Sequence, residues 1–179
     1  KTAVTITWKY AAGDESVAGF TAGFTQGGGK IIKDIAVPFP NVEFQAQLTE
    51  IASLKPDCVY TFFAGGGAVK FVKDYDAAGL KKSIPLYGPG FLTDGTLQAQ
   101  GASAEGLLTP LHYVEDLPNP VNQKFKAAFQ KSTNRPADVY AVQGYDTGAL
   151  LVHGFAAVKG DAKAKRELHA AMKAMKFDS

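Results

Sequence analysis

Cys58-Val-Tyr-Thr-Phe-Phe-Ala-Gly-Gly-Gly67 is the stretch on which the fold turns. Residues 58–63 (CVYTFF) are apolar on both faces, as a central parallel strand covered by helices on either side must be. Three glycines follow, and then Ala68, Phe71, Val72 and Tyr75 recur at helical spacing, with Gly79 placed to cap the helix end. Strand, glycine turn and helix in that order make half of a βαβ unit. The same cycle appears upstream. Residues 3–8 (AVTITW) are rich in β-branched side chains and read as a strand. A helix follows from near Asp14, carried by Val17, Phe20 and Phe24 and ended by the glycines at 27–29. Residues 30–37 (KIIKDIAV) form a second strand, and Phe44, Leu48 and Ile51 mark a helix that stops before Pro56. Residues 84–87 and 106–111 are expected as a fourth and a fifth strand. The first four strands are centred near residues 6, 33, 60 and 86, about 27 residues apart. That interval suits βαβ units, so the expected fold is α/β, a parallel sheet with helices on both faces and right-handed crossovers.

After Leu111 the pattern changes. Residues 112–118 carry Pro118 and no periodicity, and read as a connector or hinge. Three helices are then expected without an intervening strand: about 119–131 with Asn119 as cap and Pro120 in first position, about 138–159, and one beginning at Asp161. The middle helix is apolar on two faces and expected to be buried on both. These helices want a sheet that the 179 residues do not supply. The chain also enters a strand at Lys1 without an initiator Met and stops at Ser179 directly after a helical pattern, which reads as a trimmed segment of a longer protein.

Composition excludes several classes. Hydrophobic residues make up 46% and charged residues 20%, ordinary globular usage. Nineteen Lys and Arg are offset by seventeen Asp and Glu, for a net charge of +2, and the basic residues are dispersed; no nucleic-acid partner is expected. No apolar run approaches the roughly 20 residues that cross a bilayer, so no direct membrane insertion is expected. The single Cys58 lies in a strand and reads as a buried, inert thiol.

Enzymatic motifs are wanting. Gly27-Gly28-Gly29-Lys30 fails the phosphate-loop spacing, because Phe24 and Ile31 stand where Gly and Ser or Thr are needed. Gly65-Gly66-Gly67 has the right strand-to-helix context for an anion-binding turn, but Lys70 occupies the third glycine position of a dinucleotide fingerprint. His112, His153 and His169 have no metal-ligand spacing, so no metal or other cofactor is expected. Asp94 is the only nearby acid in a loop that could serve catalysis. What remains is a binding site beyond the carboxyl ends of the strands, where residues 9–13, 64–67 and 88–94 converge. Glycine there lets a ligand reach backbone N–H groups, helix N-termini favour a carboxylate, and Tyr10, Phe63, Tyr87 and Phe91 offer aromatic walls or core.

The ordered set Tyr10-Ala-Ala-Gly13, Lys55-Pro-Asp57, Phe63-Ala-Gly-Gly66, Ala78-Gly-Leu80, Gly88-Pro-Gly-Phe91, Ala104-Glu-Gly106 and Gly144-Tyr-Asp146 resembles the leucine/isoleucine/valine-type solute-binding proteins of bacterial ABC importers. The resemblance covers essentially the whole chain. It implies a periplasmic, two-lobed clamp that captures a small molecule and hands it to a membrane permease. Residues 1–111 would be the second lobe, 112–118 the hinge, and 119–179 helices returning to the first lobe. The implied ligand contacts are Tyr10, Ala12, Phe63, Ala64, Gly65, Gly66, Gly90 and Phe91. Three of them depart from the family pattern: Ala12 stands where an aromatic residue often covers the ligand, and Gly90 and Phe91 where amino-acid binders place a polar or acidic group for the ammonium. These departures favour an aromatic carboxylate of benzoate or cinnamate type over a branched-chain or aliphatic amino acid. The same fold also serves as the effector domain of amide- or amino-acid-responsive regulators, which is the competing expectation.

Overall fold

Alternating side chains split the sheet into one oily face and one hydroxylated face, and the helices are distributed accordingly. In the computed structural model, which describes residues 1–176, four parallel strands run in the order β2-β1-β3-β4. They are β1 (Thr2–Lys9), β2 (Lys30–Pro38), β3 (Cys58–Phe62) and β4 (Leu86–Tyr87). Val4 pairs with Val59 and Ile6 with Thr61 and Ile35, which puts Val4, Ile6, Trp8, Ile35, Val37 and Val59 on one face. Against that face pack α2 (Gln45–Leu54) and α3 (Gly65–Ala77), through Leu48, Ile51, Phe71 and Val72, all buried. Tyr75 of α3 is buried with them and donates its hydroxyl to the Ile84 carbonyl at 3.0 Å. The other face carries Thr5, Thr7, Tyr60 and Asp34. Here α1 (Ala11–Gln26) lies over β3: Phe20 stacks on Tyr60 at 4.2 Å, and the Ser16 and Tyr60 hydroxyls are 2.7 Å apart. The Thr5 hydroxyl donates to Asp34 at 2.6 Å, so this polar pair in the sheet is satisfied.

Four boundaries depart from expectation. Helix α1 starts at Ala11, three residues before Asp14, because Tyr10 takes the cap position in extended conformation without a side-chain hydrogen bond. Strand β4 is two residues long, since Pro85 before it and Gly88-Pro89 after it interrupt the ladder. The expected fifth strand shrinks to one isolated bridge between Tyr87 and Leu108: a two-residue partner leaves little to pair with, and Pro110 donates no N–H. In the tail, the helix expected from Asp161 begins at Lys165, after a turn held by the Asp161 carboxylate on the Lys163 N–H. A short α4 (Leu97–Gln100) lies between β4 and the bridge.

The chain divides into two compact units, Lys1–Leu111 and His112–Ser179. The second holds α5 (Pro120–Thr133), α6 (Val139–Ala157) and α7 (Lys165–Ala174), with no strand among its described residues; Phe177, Asp178 and Ser179, the end of the expected return helices, lie outside the described residues. Asn119 and Asp138 cap α5 and α6 through their side chains, accepting from Asn122 and Ala141 N–H groups at 2.7 and 2.8 Å. Helices α6 and α7 meet where Gly154 faces Met172 and Leu168. The expectation that α6 is buried on two sides is not met within this chain: Tyr140, Tyr145, Leu151 and Val152 are all exposed. The segment read as a hinge is partly tied down. Asn122, buried in α5, donates to the Glu115 and Leu117 carbonyls at 3.0 and 2.9 Å and accepts from the Tyr113 hydroxyl at 2.9 Å. Residues 113–117 are thereby fastened to α5.

Candidate functional site

All four parallel strands point their carboxyl ends the same way, and each contributes an aromatic ring at or just beyond that end. Phe39 follows β2, Tyr10 follows β1, Phe62 closes β3, and Phe91 sits in the turn after β4. The rings form a continuous series. Tyr10 stacks on Phe39 at 5.5 Å and 28°, lies 6.2 Å from Phe62, and Phe62 meets Phe91 edge-on at 6.2 Å. Trp8 supports the series from within the core, edge-on to Phe39 at 5.2 Å and 6.3 Å from Tyr10. Its indole N–H donates to the Asn41 carbonyl at 2.7 Å, which holds residues 39–41 against β1. Partial burial raises the pKa of the Tyr10 phenol above its ordinary value, so this ring is neutral at physiological pH.

The glycine turn adds the polar component. Ala64 is extended and caps α3; Gly65 has φ +54°, a conformation unfavourable for any residue with a Cβ. The first helical hydrogen bond of α3 runs from Ala68 N–H to the Ala64 carbonyl, so the N–H groups of Gly65, Gly66 and Gly67 precede the ladder. No acidic residue lies in the first turn of α3, whereas Asp14 lies in the first turn of α1. A groove of about 430 Å³ between α1 and β2 is lined by Asp14 and Asp34 together with Thr7 and Val17. The two carboxylates make that groove unfavourable for an anion, whereas the start of α3 presents N–H groups and no acid.

The eight expected contacts fall into three groups. Tyr10, Ala12, Ala64, Gly65, Gly66 and Phe91 lie at the carboxyl rim of the sheet, Gly65 and Gly66 exposed and the others half-buried. Phe63 does not face the rim. Strand parity turns it toward α2 and α3, where it is fully buried and packs on Trp8, Phe44 and Phe71 at 5.1, 4.9 and 4.8 Å. Its side chain is core, and Phe62, on the opposite face of β3, is the ring that joins the rim series. Gly90 is buried and its N–H donates to the Pro110 carbonyl at 2.8 Å, so that donor serves the fold. A Cβ on Gly90 would come 2.6 Å from Leu111 Cβ; glycine there lets two segments approach. Sequence reasoning missed Phe62 and Phe39. Strand parity counted from the buried Val59 was the available signal for Phe62; Phe39 had none, being a lone loop residue.

A family model described as periplasmic binding protein matches residues 1–179. Among curated proteins, the chain is similar to Leu/Ile/Val-binding protein homolog 6 of Brucella melitensis, 30% identical over 184 residues, covering 100% of this chain and 47% of that protein. Among solved structures it is similar to an ABC-transporter solute-binding protein from R. palustris in complex with benzoate: 58% identity, TM-score 0.94, 100% of this chain and 49% of that one. A solute-binding protein from Rhodopseudomonas palustris BisB5 in complex with 3,4-dihydroxybenzoic acid matches at 35% identity and TM-score 0.89, over 100% and 50% of the two chains. The chain thus spans about half the length of the relatives it matches.

Proposed function

Because this chain belongs to the periplasmic binding protein family, we propose that it forms part of the solute-binding component of an ABC importer that captures an aromatic carboxylate of the benzoate type. The observation that carries this reading is the pairing of an aromatic rim with an N-terminal helix turn free of acidic residues. The ligand ring would lie against Tyr10, Phe62 and Phe91, and its carboxylate would meet the N–H groups of Gly65 and Gly66. The similarity to proteins solved with benzoate and 3,4-dihydroxybenzoic acid supports the ligand class. Gly90 and Phe91, standing where amino-acid binders place a group for the ammonium, weigh against an amino acid.

In this reading residues 1–111 are one lobe of a two-lobed clamp in the periplasm, and residues 119–179 are helices that return to the other lobe and form part of it. The ligand bridges both lobes, stabilises the closed state by its differential affinity, and is passed to a membrane permease. The bending point lies at the start of residues 112–118, because Asn122 holds 113–117 to α5. Titration of the full-length protein with benzoate, 4-hydroxybenzoate and leucine tests the assignment, together with mass spectrometry of co-purifying ligand. Benzoate binding is expected; binding of leucine alone overturns it.

A further inference from the structure

Phe39 is an exposed aromatic residue (58% accessible) held with unusual care for a loop. One face stacks on Tyr10, the ring stands nearly perpendicular to Trp8 at 5.2 Å, and the Trp8 indole pins the backbone two residues on, at the Asn41 carbonyl. An apolar ring in a turn ordinarily gains by burial; here three separate contacts fix its orientation and leave much of it accessible. Tyr10 has no side-chain hydrogen bond in its capping role. Its ring is instead oriented by neighbouring rings, among which Phe39 makes the closest and most nearly parallel contact.

We propose that Phe39 is a specificity-determining positioning residue: by stacking behind Tyr10 it holds that ring at the angle which favours a flat aromatic ligand over a saturated one of equal size and charge. The inference rests on the aromatic-carboxylate reading above. Ring–ring attraction depends on mutual orientation, whereas contact with a saturated ring is non-directional. Loss of Phe39 therefore affects aromatic ligands selectively.

The test compares benzoate with cyclohexanecarboxylate, titrated calorimetrically into full-length wild-type protein and its Phe39→Ala, Phe39→Leu and Phe39→Tyr variants. Wild type is expected to prefer benzoate. Phe39→Ala and Phe39→Leu should weaken benzoate about three- to tenfold, the range of an aromatic pair, and leave cyclohexanecarboxylate within twofold; Phe39→Tyr should restore the preference. Equal weakening of both acids, or no change in either, overturns the proposal while leaving the benzoate reading intact. Wild type binding neither acid refutes the parent reading, and the inference falls with it. Thermal melts of each variant verify folding; loss of the ring contacts to Tyr10 and Trp8 should lower the midpoint modestly, and the titrations are run well below it.

Discussion

Two adjacent glycines in the first turn of α3 should respond to the same substitution with opposite sign. A Cβ on Gly66 meets nothing within 4 Å, whereas one on Gly67 falls inside 3.0 Å of Trp8 Cη2 and Cζ2. The indole cannot retreat without loss, because its N–H is bonded to Asn41 and its ring is lodged against Phe63 and Phe39. Overpacking of this kind costs about 1–3 kcal/mol, and breaking the indole hydrogen bond adds about 1 kcal/mol. Alanine returns about 1 kcal/mol of helix propensity. The net for Gly67→Ala is a loss of about 1–3 kcal/mol in the first unit. For a unit of this size that lowers the melting temperature by roughly 10 °C. Gly66→Ala should instead gain about 0.5 kcal/mol. The chain has one tryptophan, and it sits in the affected unit, so its emission followed through a urea titration reads the right transition. Trp8→Phe removes the obstructing atoms; in that background, followed by circular dichroism, the cost of Gly67→Ala should nearly vanish. A Gly67→Ala protein within about 0.5 kcal/mol of wild type, or equal losses at both glycines, refutes the account.

The buried amide of Asn122 gives a second test. Asn122→Ala removes one of two donors from each of the Glu115 and Leu117 carbonyls, which keep Lys126 at 2.7 Å and Gln123 at 3.3 Å, and takes an acceptor from Tyr113. It should cost about 1–2 kcal/mol and accelerate amide hydrogen exchange across residues 113–119, and unchanged exchange would mean that Lys126 and Gln123 suffice to hold the segment. A third concerns alkaline stability. Burial raises the folded-state pKa of Tyr75 above the ordinary 10.0. Its contribution is complete below about pH 10 and is lost as pH rises through the higher folded value. Tyr75→Phe should cost about 1 kcal/mol at pH 8 yet flatten the fall in melting temperature between pH 9 and 11. The residual slope belongs to Cys58, whose thiol is also raised by burial and then by Asp57, and to Tyr10. An identical slope in both proteins would remove Tyr75 from the explanation.

How far the fold was legible depended on whether local chemistry and tertiary contacts agreed. Residues 3–8 and 58–63 carry β-branched and aromatic side chains on both faces, and each became one of the two inner strands of the sheet. Asn119-Pro120 stated the start of α5 outright, and Asp138 that of α6. The start of α1 was hidden because Tyr10 and Ala11 carry no capping signal. The fifth strand was overestimated because apolar character at Leu107, Leu108 and Leu111 says nothing about whether a neighbour is long enough to pair. The glycine turn at 65–67 was visible as a chemical motif. Phe63 and Phe62 could be assigned to opposite faces by strand parity, but a strand buried on both faces has no polar alternation to reveal which of the two rings turns inward. Phe39 became visible only when the ends of β1 and β2 were brought side by side.

The unequal faces of the sheet carry a consequence for how this protein can change. On the α2 and α3 side nearly every contact is fully enclosed, so substitutions there are coupled and costly. On the α1 side only Gly13 of the helix is buried, and hydroxyls and a carboxylate line the strands beneath. Mutational drift should therefore collect in α1, and a scan of every position would record one tolerant flank and one intolerant one. The same tolerance marks the outer surface of α1 as the place to attach a fluorophore or an affinity handle without disturbing the aromatic rim.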